Sequence, residues 1–288
     1  DYLTGIQSNY DILTLRDLIN VQYYVHDTIK RYTSIVSNNT SRYNAYSVFA
    51  TCLRKYLLKY PNILVSIVSF NYDTLLDESL EREFDYRFNN VEDYVNPKNS
   101  FWYFKPHGSI NWGWKITNEY LLKRNQERFI QYLYDEKVDL STIYYDFLDC
   151  KQGNLKSKEY GVEYLINKKA KFSVNKDAIS ILKDGEVFYP AMLLPYCDKD
   201  EFVMPYSQQL TMRDAFNQIE DLYLIGWKGN EKLFKEYCRF PKLKKIVVVN
   251  PDVQSVLENV SGNFEFEGIE FYKSFGDFVR NIAQKDCF

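Results

Sequence analysis

Two short segments carry side chains able to hold a small polar ligand and to move a proton. Ser69-Phe70-Asn71-Tyr72-Asp73 closes one apolar run, and Lys105-Pro106-His107-Gly108-Ser109 closes another. A neutral amide such as Asn71 can hold a water or a hydroxyl group by hydrogen bonds without attacking carbon itself. A histidine, with an ordinary pKa near ~6.5, can accept or relay a proton at neutral pH. Asp73 adds an acceptor on the same turn. Each residue also has a plainer reading: Asn71 as an Asx turn, Asp73 as the N-cap of a helix over Leu75 to Leu80. His107 lies between Pro and Gly, which argues for a loop and against a core position, whereas His26 reads as a plain helical position.

Such residues need a scaffold that presents several chain turns along one edge. Ile63 to Phe70 is short, β-branched and apolar nearly throughout, as a central parallel strand covered on both faces would be. Phe101 to Lys105, Asp221 to Ile225 and Lys245 to Val249 read as three more strands, the last two ending at Gly226 and Asn250. Helical spacing is clear over Ala45 to Tyr60, weaker over Leu13 to Val36, and present over Glu231 to Phe240, which makes a βαβ unit with its flanking strands. Four strands therefore end in polar or glycine-bearing motifs, the layout of an open α/β sheet whose ligand lies beyond the carboxyl edge. The expected fold is α/β, a Rossmann-like parallel sheet flanked by helices with an inserted small subdomain. Residues 1–114 form its first part and 191–288 its second. The insertion, 115–190, holds a charged helix over Glu119 to Asp135 and a hairpin of Ile179 to Leu182 with Val187 to Tyr189.

A chain of 288 residues, 45% hydrophobic and 26% charged, has ample material for a core. Its 36 basic residues are scattered among 39 acidic ones, for a net charge of −3, so direct nucleic-acid binding is not expected. No apolar run approaches the ~20 residues of a membrane span, and no secretory leader pattern opens the chain, so a cytoplasmic protein without a membrane partner is expected. Cys52, Cys150, Cys197, Cys238 and Cys287 lie far apart with no Cys-x-x-Cys pair, which favours free thiols and no bound metal. The chain opens at Asp1 inside an ordinary polar segment and reads as a fragment.

In order, Ser69 to Leu76, Lys105 to Trp112, Leu224-Ile225-Gly226-Trp227-Lys228-Gly229 and Val248-Val249-Asn250-Pro251-Asp252 resemble the motifs of the sirtuin-like superfamily. The likeness is greatest to the bacterial branch that acts as NADase effectors in anti-phage defence. It runs from about Ile63 to Asn250, with Phe271 to Phe275 also fitting, and leaves the insertion uncovered. The resemblance implies NAD⁺ as substrate, Asn71 and His107 as catalytic residues, and Asp73 near the nicotinamide carboxamide. It implies that Gly108, Ser109, Gly226, Trp227 and Lys228 line the dinucleotide, and that Asn250 meets the adenosine ribose. Core packing is the plainer reading of Trp227, and a solvated charge that of Lys228.

Two departures stand out. The four-cysteine zinc module of the deacylases is represented in that interval only by Cys150 and Cys197, and the family's first strand with its Gly-Ala-Gly phosphate loop is absent. The function implied is an NAD⁺ glycohydrolase releasing nicotinamide and ADP-ribose, a homo-oligomeric defence effector that depletes NAD⁺ in response to a partner or phage trigger. An NAD⁺-dependent protein deacylase stays open, with the missing zinc module against it. So does a non-catalytic sensor of NAD⁺ or ADP-ribose, or an oligomerisation module.

Overall fold

The computed structural model describes residues 24–26, 28–37, 44–116, 162–166, 187–193, 202–229, 231, 239–260 and 265–285. Asn44 starts the first long helix, α1 (Ala45–Lys59), through a capping box. Its side chain accepts from the Ser47 N–H at 2.8 Å while the Ser47 hydroxyl accepts from the Asn44 N–H at 3.0 Å. Such a cap stabilises a helix by about 1 kcal/mol. Phe49, Cys52, Leu53 and Leu57 recur at helical spacing and form the buried stripe of α1.

The chain continues through β1 (Val65–Val68), α2 (Leu75–Glu83), a 3₁₀ turn (Val91–Val95), β2 (Phe101–Phe104), β3 (Gly108–Ile116), β4 (Val162–Ile166) and β5 (Val187–Met192). Then follow α3 (Tyr206–Phe216), β6 (Asp221–Ile225), β7 (Lys245–Val249), α4 (Val253–Val260), β8 (Gly268–Tyr272) and α5 (Phe275–Gln284).

Helices and small parallel sheets give the chain an α/β character. β1 pairs with β2 in parallel, Val65 opposite Phe101 and Val68 opposite Phe104. β6, β7 and β8 form a second all-parallel sheet. β7 is its centre, with Ile246 to Val249 all buried, as expected for a β-branched run covered on both faces. α1 packs against α2, which follows β1, and against α5, which follows β8. Tyr46 and Phe49 meet Phe275 there at ring-centroid distances of 5.6 and 6.0 Å.

The strands read at Asp221 to Ile225 and Lys245 to Val249 form with those bounds, α1 forms where helical spacing placed it, and α2 covers the helix over Leu75 to Leu80 assumed in the plainer reading of Asp73. The strand expected over Ile63 to Phe70 is shorter and less covered. Only Val65–Val68 pair, and they are half-buried. Ile63 and Leu64 are exposed, since they sit just past the turn at Pro61-Asn62. Among the described residues β1 has a neighbour on one side only, which accounts for its incomplete cover.

Strand β3 was not expected. Gly108 and Ser109, read as part of a loop, begin a nine-residue strand that pairs antiparallel with β4 and β5. β3 crosses the 114/115 boundary drawn from sequence texture. Val187 to Tyr189 do form a strand, whereas their expected hairpin partner Ile179 to Leu182 lies outside the described residues. So do the helix over Glu119 to Asp135, most of that over Glu231 to Phe240, and the start of that over Leu13 to Val36. Among the described residues no helix is long and apolar enough to cross a membrane.

The aromatic core makes the fold sensitive to alkali. Burial, and next the charge of Asp77, pushes the phenols of Tyr94 and Tyr103 well above the usual tyrosine value. Burial chiefly pushes Tyr223 up to about 12. A phenol with a folded pKa above its unfolded value gives stability that is full below the unfolded pKa, near ~10, and is lost as pH rises through the folded one. The melting temperature is therefore expected to hold to about pH 10 and to fall steeply from there towards pH 12, with tyrosinate absorbance lagging behind that of free tyrosine. A melting temperature unchanged across that window would contradict the buried phenols.

Candidate functional site

All four motifs lie at carboxyl ends of parallel strands: Asn71 beyond β1, His107 beyond β2, Gly226 to Lys228 beyond β6, and Asn250 beyond β7. Side chains connect them. The Phe70 ring lies 4.8 Å from the His107 imidazole, centroid to centroid, and stacks on Trp227 at 5.7 Å with 20° between the planes. Asn250 Nδ2 donates to the Trp227 carbonyl at 3.2 Å. Residues at the ends of two separate sheets are thus linked by a continuous chain of aromatic and amide contacts.

Asn71 is exposed, and its backbone N–H donates to the Ser69 hydroxyl at 3.3 Å. Asp73 accepts from the Leu75 N–H at 3.0 Å, so its carboxylate helps to start α2, although the N-cap position itself falls on Thr74.

His107 does stand in the turn between β2 and β3, as read, but it is a core position. It is only 1% exposed, tucked under Phe70 and with the Tyr72 ring stacked at 6.2 Å. The backbone explains this. Gly108 takes φ +77° and turns the chain at once into β3, where the His107 carbonyl accepts from the Leu193 N–H at 2.9 Å. That left-handed conformation suits glycine. The Ser109 hydroxyl is buried too, accepting from Lys105 Nζ at 2.8 Å and donating to the Tyr72 carbonyl at 3.2 Å. In this conformation it braces the segments that carry Asn71 and His107.

On the other sheet, Gly226 has φ +65°, and among the described residues nothing lies within 4 Å of where a Cβ would stand. Trp227 is partly buried against Phe70, joining the core as its plainer reading had it, while Lys228 is exposed. The Lys228 carbonyl accepts from Asn259 Nδ2 at 2.8 Å. Asn250 is buried, its Oδ1 accepting from the Asp252 N–H at 2.9 Å. Its amide thus ties the exit of β7 to that of β6.

Sequence reasoning missed the buried polar group beneath these exits. Lys105 is fully buried and forms an ion pair with Asp77 at 3.2 Å. The hydroxyls of Tyr94 and Tyr103 donate to the same carboxylate at 2.5 and 3.0 Å. A signal was present, since a lysine ending the run Phe101 to Phe104 has to find a partner if that strand is covered. His26, read as a plain helical position, is buried and donates through Nε2 to the Ile110 carbonyl at 2.8 Å, supporting β3.

Behind α2 lies a cavity of about 200 Å³, lined in part by Lys30, Glu78, Glu81, Tyr94 and Asn111, with neither Asn71 nor His107 on its wall. Among the described residues no cluster of three His, Cys, Asp or Glu side chains has the arrangement to hold a metal ion. Compared with family models, with curated proteins and with solved structures, the chain matches none.

Proposed function

We propose that this chain is the NAD⁺-cleaving domain of a sirtuin-like defence effector, a glycohydrolase that releases nicotinamide and ADP-ribose. The observation that carries the reading is the chain of contacts His107, Phe70, Trp227, Asn250, which gathers the four motifs quoted above at one edge. The finer fold belongs to the same proposal. One further parallel strand between β1 and β6 would join the two sheets in the order β2, β1, new strand, β6, β7, β8. The motifs would then flank the switch point of a Rossmann-like sheet, where dinucleotides bind.

Nicotinamide in NAD⁺ is already a cationic leaving group, so cleavage needs a stabilised oxocarbenium-like ribose and a placed water more than it needs a strong acid. Asn71, exposed at the edge, orients the water or the ribose hydroxyls. His107 takes the proton, which requires the Phe70 or Tyr72 ring to swing aside as the ribose enters. Asp73 accepts from the carboxamide with whatever capacity its bond to Leu75 leaves, and the Gly226 to Lys228 turn holds the distant half of the dinucleotide. By the same resemblance the protein works in the cytoplasm as a homo-oligomer under the control of a partner or phage trigger.

The test is chromatography of NAD⁺ incubated with the full-length, triggered protein, which is expected to yield one nicotinamide per ADP-ribose. Trp227→Ala and Asn250→Ala should raise KM by roughly 10-fold and leave kcat within about 3-fold, because groups gripping the far half serve ground and transition states alike. Saturable NAD⁺ binding with no nicotinamide released under any trigger would replace the glycohydrolase by a sensor.

A further inference from the structure

We infer that Lys105 is the positioning residue that sets the separation between Asn71 and His107. The inference rests on the glycohydrolase reading for its catalytic consequence, and on geometry for the rest. Lys105 is the last residue before the His107 turn, and its ammonium has three donors. One goes to the Asp73 carbonyl at 2.7 Å, one to the Ser109 hydroxyl at 2.8 Å, and one to the Asp77 carboxylate at 3.2 Å.

These acceptors are placed in a telling way. Asp73 is two residues beyond Asn71, and Ser109 is two residues beyond His107. A single buried cation therefore grips both reactive turns, each at the same remove from its reactive side chain. The Ser109 hydroxyl and the Ile110 N–H both reach the Tyr72 carbonyl, at 3.2 and 2.9 Å, which closes the loop between the segments. Asp77, held by Tyr94 and Tyr103, fixes the cation in turn.

A buried ion pair contributes little net stability when compared with an apolar replacement, whereas removing one partner alone is costly. An all-apolar pair could fill the same space, but it could not bond to a carbonyl of one turn and a hydroxyl of the other. The ammonium suits that task because its three donors diverge from a single atom.

The test compares Lys105→Met with the charge-balanced pair Lys105→Met/Asp77→Asn in the full-length protein. The single variant leaves a buried carboxylate without its cation and is expected to fold poorly. In the pair the amide at position 77 still partners both tyrosines, its oxygen accepting from one hydroxyl and its NH2 donating to the other, and the chain is expected to fold. In the pair, amide exchange at Gly108 and Ile110 should quicken by roughly 10-fold or more while that of β7 stays unchanged, since opening is local. NAD⁺ turnover should lose about 10- to 100-fold in kcat with KM within about 3-fold, because the far half of the dinucleotide is gripped elsewhere. Wild-type exchange at Gly108 and Ile110 in the folded pair would overturn the positioning role, whatever the activity. Normal kcat in a pair whose exchange has quickened would overturn its catalytic consequence. Quickened exchange in a chain whose wild type never cleaves NAD⁺ would support the clamp and refute the glycohydrolase reading instead.

Discussion

Asn71→Ala and His107→Ala are each expected to lower NAD⁺ turnover by about two or more orders of magnitude in the triggered, full-length protein. Orientation of the attacking water and movement of its proton belong to one event, so the double variant should be little worse than either single one. Stability should separate the two. Asn71 is exposed and donates to the Ser69 hydroxyl through its backbone N–H, which alanine retains, so the melting temperature should not move. His107 fills space beneath Phe70 and Tyr72, and alanine there leaves a cavity that costs a core of this kind about 2 kcal/mol or more. His107→Gln, which keeps much of the volume, should regain stability without regaining turnover. Near-normal turnover in both alanine variants would end the catalytic assignment, and full activity in His107→Gln would reduce His107 to a packing residue.

How far the sequence can be read depends on how local the determining interactions are. β6 and β7 were legible to the residue because an apolar, β-branched run bounded by turn residues has few other ways to satisfy its backbone. α1 was legible from the spacing of Phe49, Cys52, Leu53 and Leu57. β3 was not, because Gly108-Ser109-Ile110-Asn111 alternates only weakly, and its strand state depends on β5, roughly eighty positions away in the chain. Tertiary pairing overrides local preference in such segments. The burial of His107 follows from the same pairing, so it too was out of reach.

The site shows a similar division. The motif residues could be singled out by type and order, and their meeting rests on Phe70 and Trp227, whose stacking joins the ends of β1 and β6. Phe70 itself passed as the end of an apolar strand, since nothing in its neighbours indicates that it lies between a histidine and a tryptophan. Lys105 passed as a strand end for the same reason. Its partners Asp73, Asp77 and Ser109 come from the β1–α2 turn, from α2 and from β3, an arrangement that exists only once the chain has folded.

Two glycines at positive φ give the remaining large expectation, because similar backbones meet opposite surroundings. At Gly108 a Cβ would stand 1.9 Å from the Ala191 carbonyl oxygen, 2.8 Å from the Ala191 carbonyl carbon and 2.9 Å from Val203 Cγ1. The obstructing atoms belong mostly to the backbone of β5, which is held in register with β3 and cannot step aside as a side-chain tip would. Gly108→Ala therefore combines a left-handed conformation, costing about 1–2 kcal/mol, with an overlap costing about 1–3 kcal/mol. For a domain of this size that is a fall in melting temperature of roughly 5–15 °C, with turnover lost as the His107 turn is displaced. At Gly226 a Cβ would meet nothing within 4 Å among the described residues, so Gly226→Ala should cost only the left-handed conformation, about 1–2 kcal/mol. If the dinucleotide passes close over the exit of β6, that methyl group occupies its path, and KM should rise by roughly 10-fold or more while the melting temperature falls by only a few degrees. Thermal melts and NAD⁺ titrations of both variants separate the roles. An unperturbed melt for Gly108→Ala would contradict the contact between β3 and β5, and wild-type affinity in Gly226→Ala would move the dinucleotide away from β6.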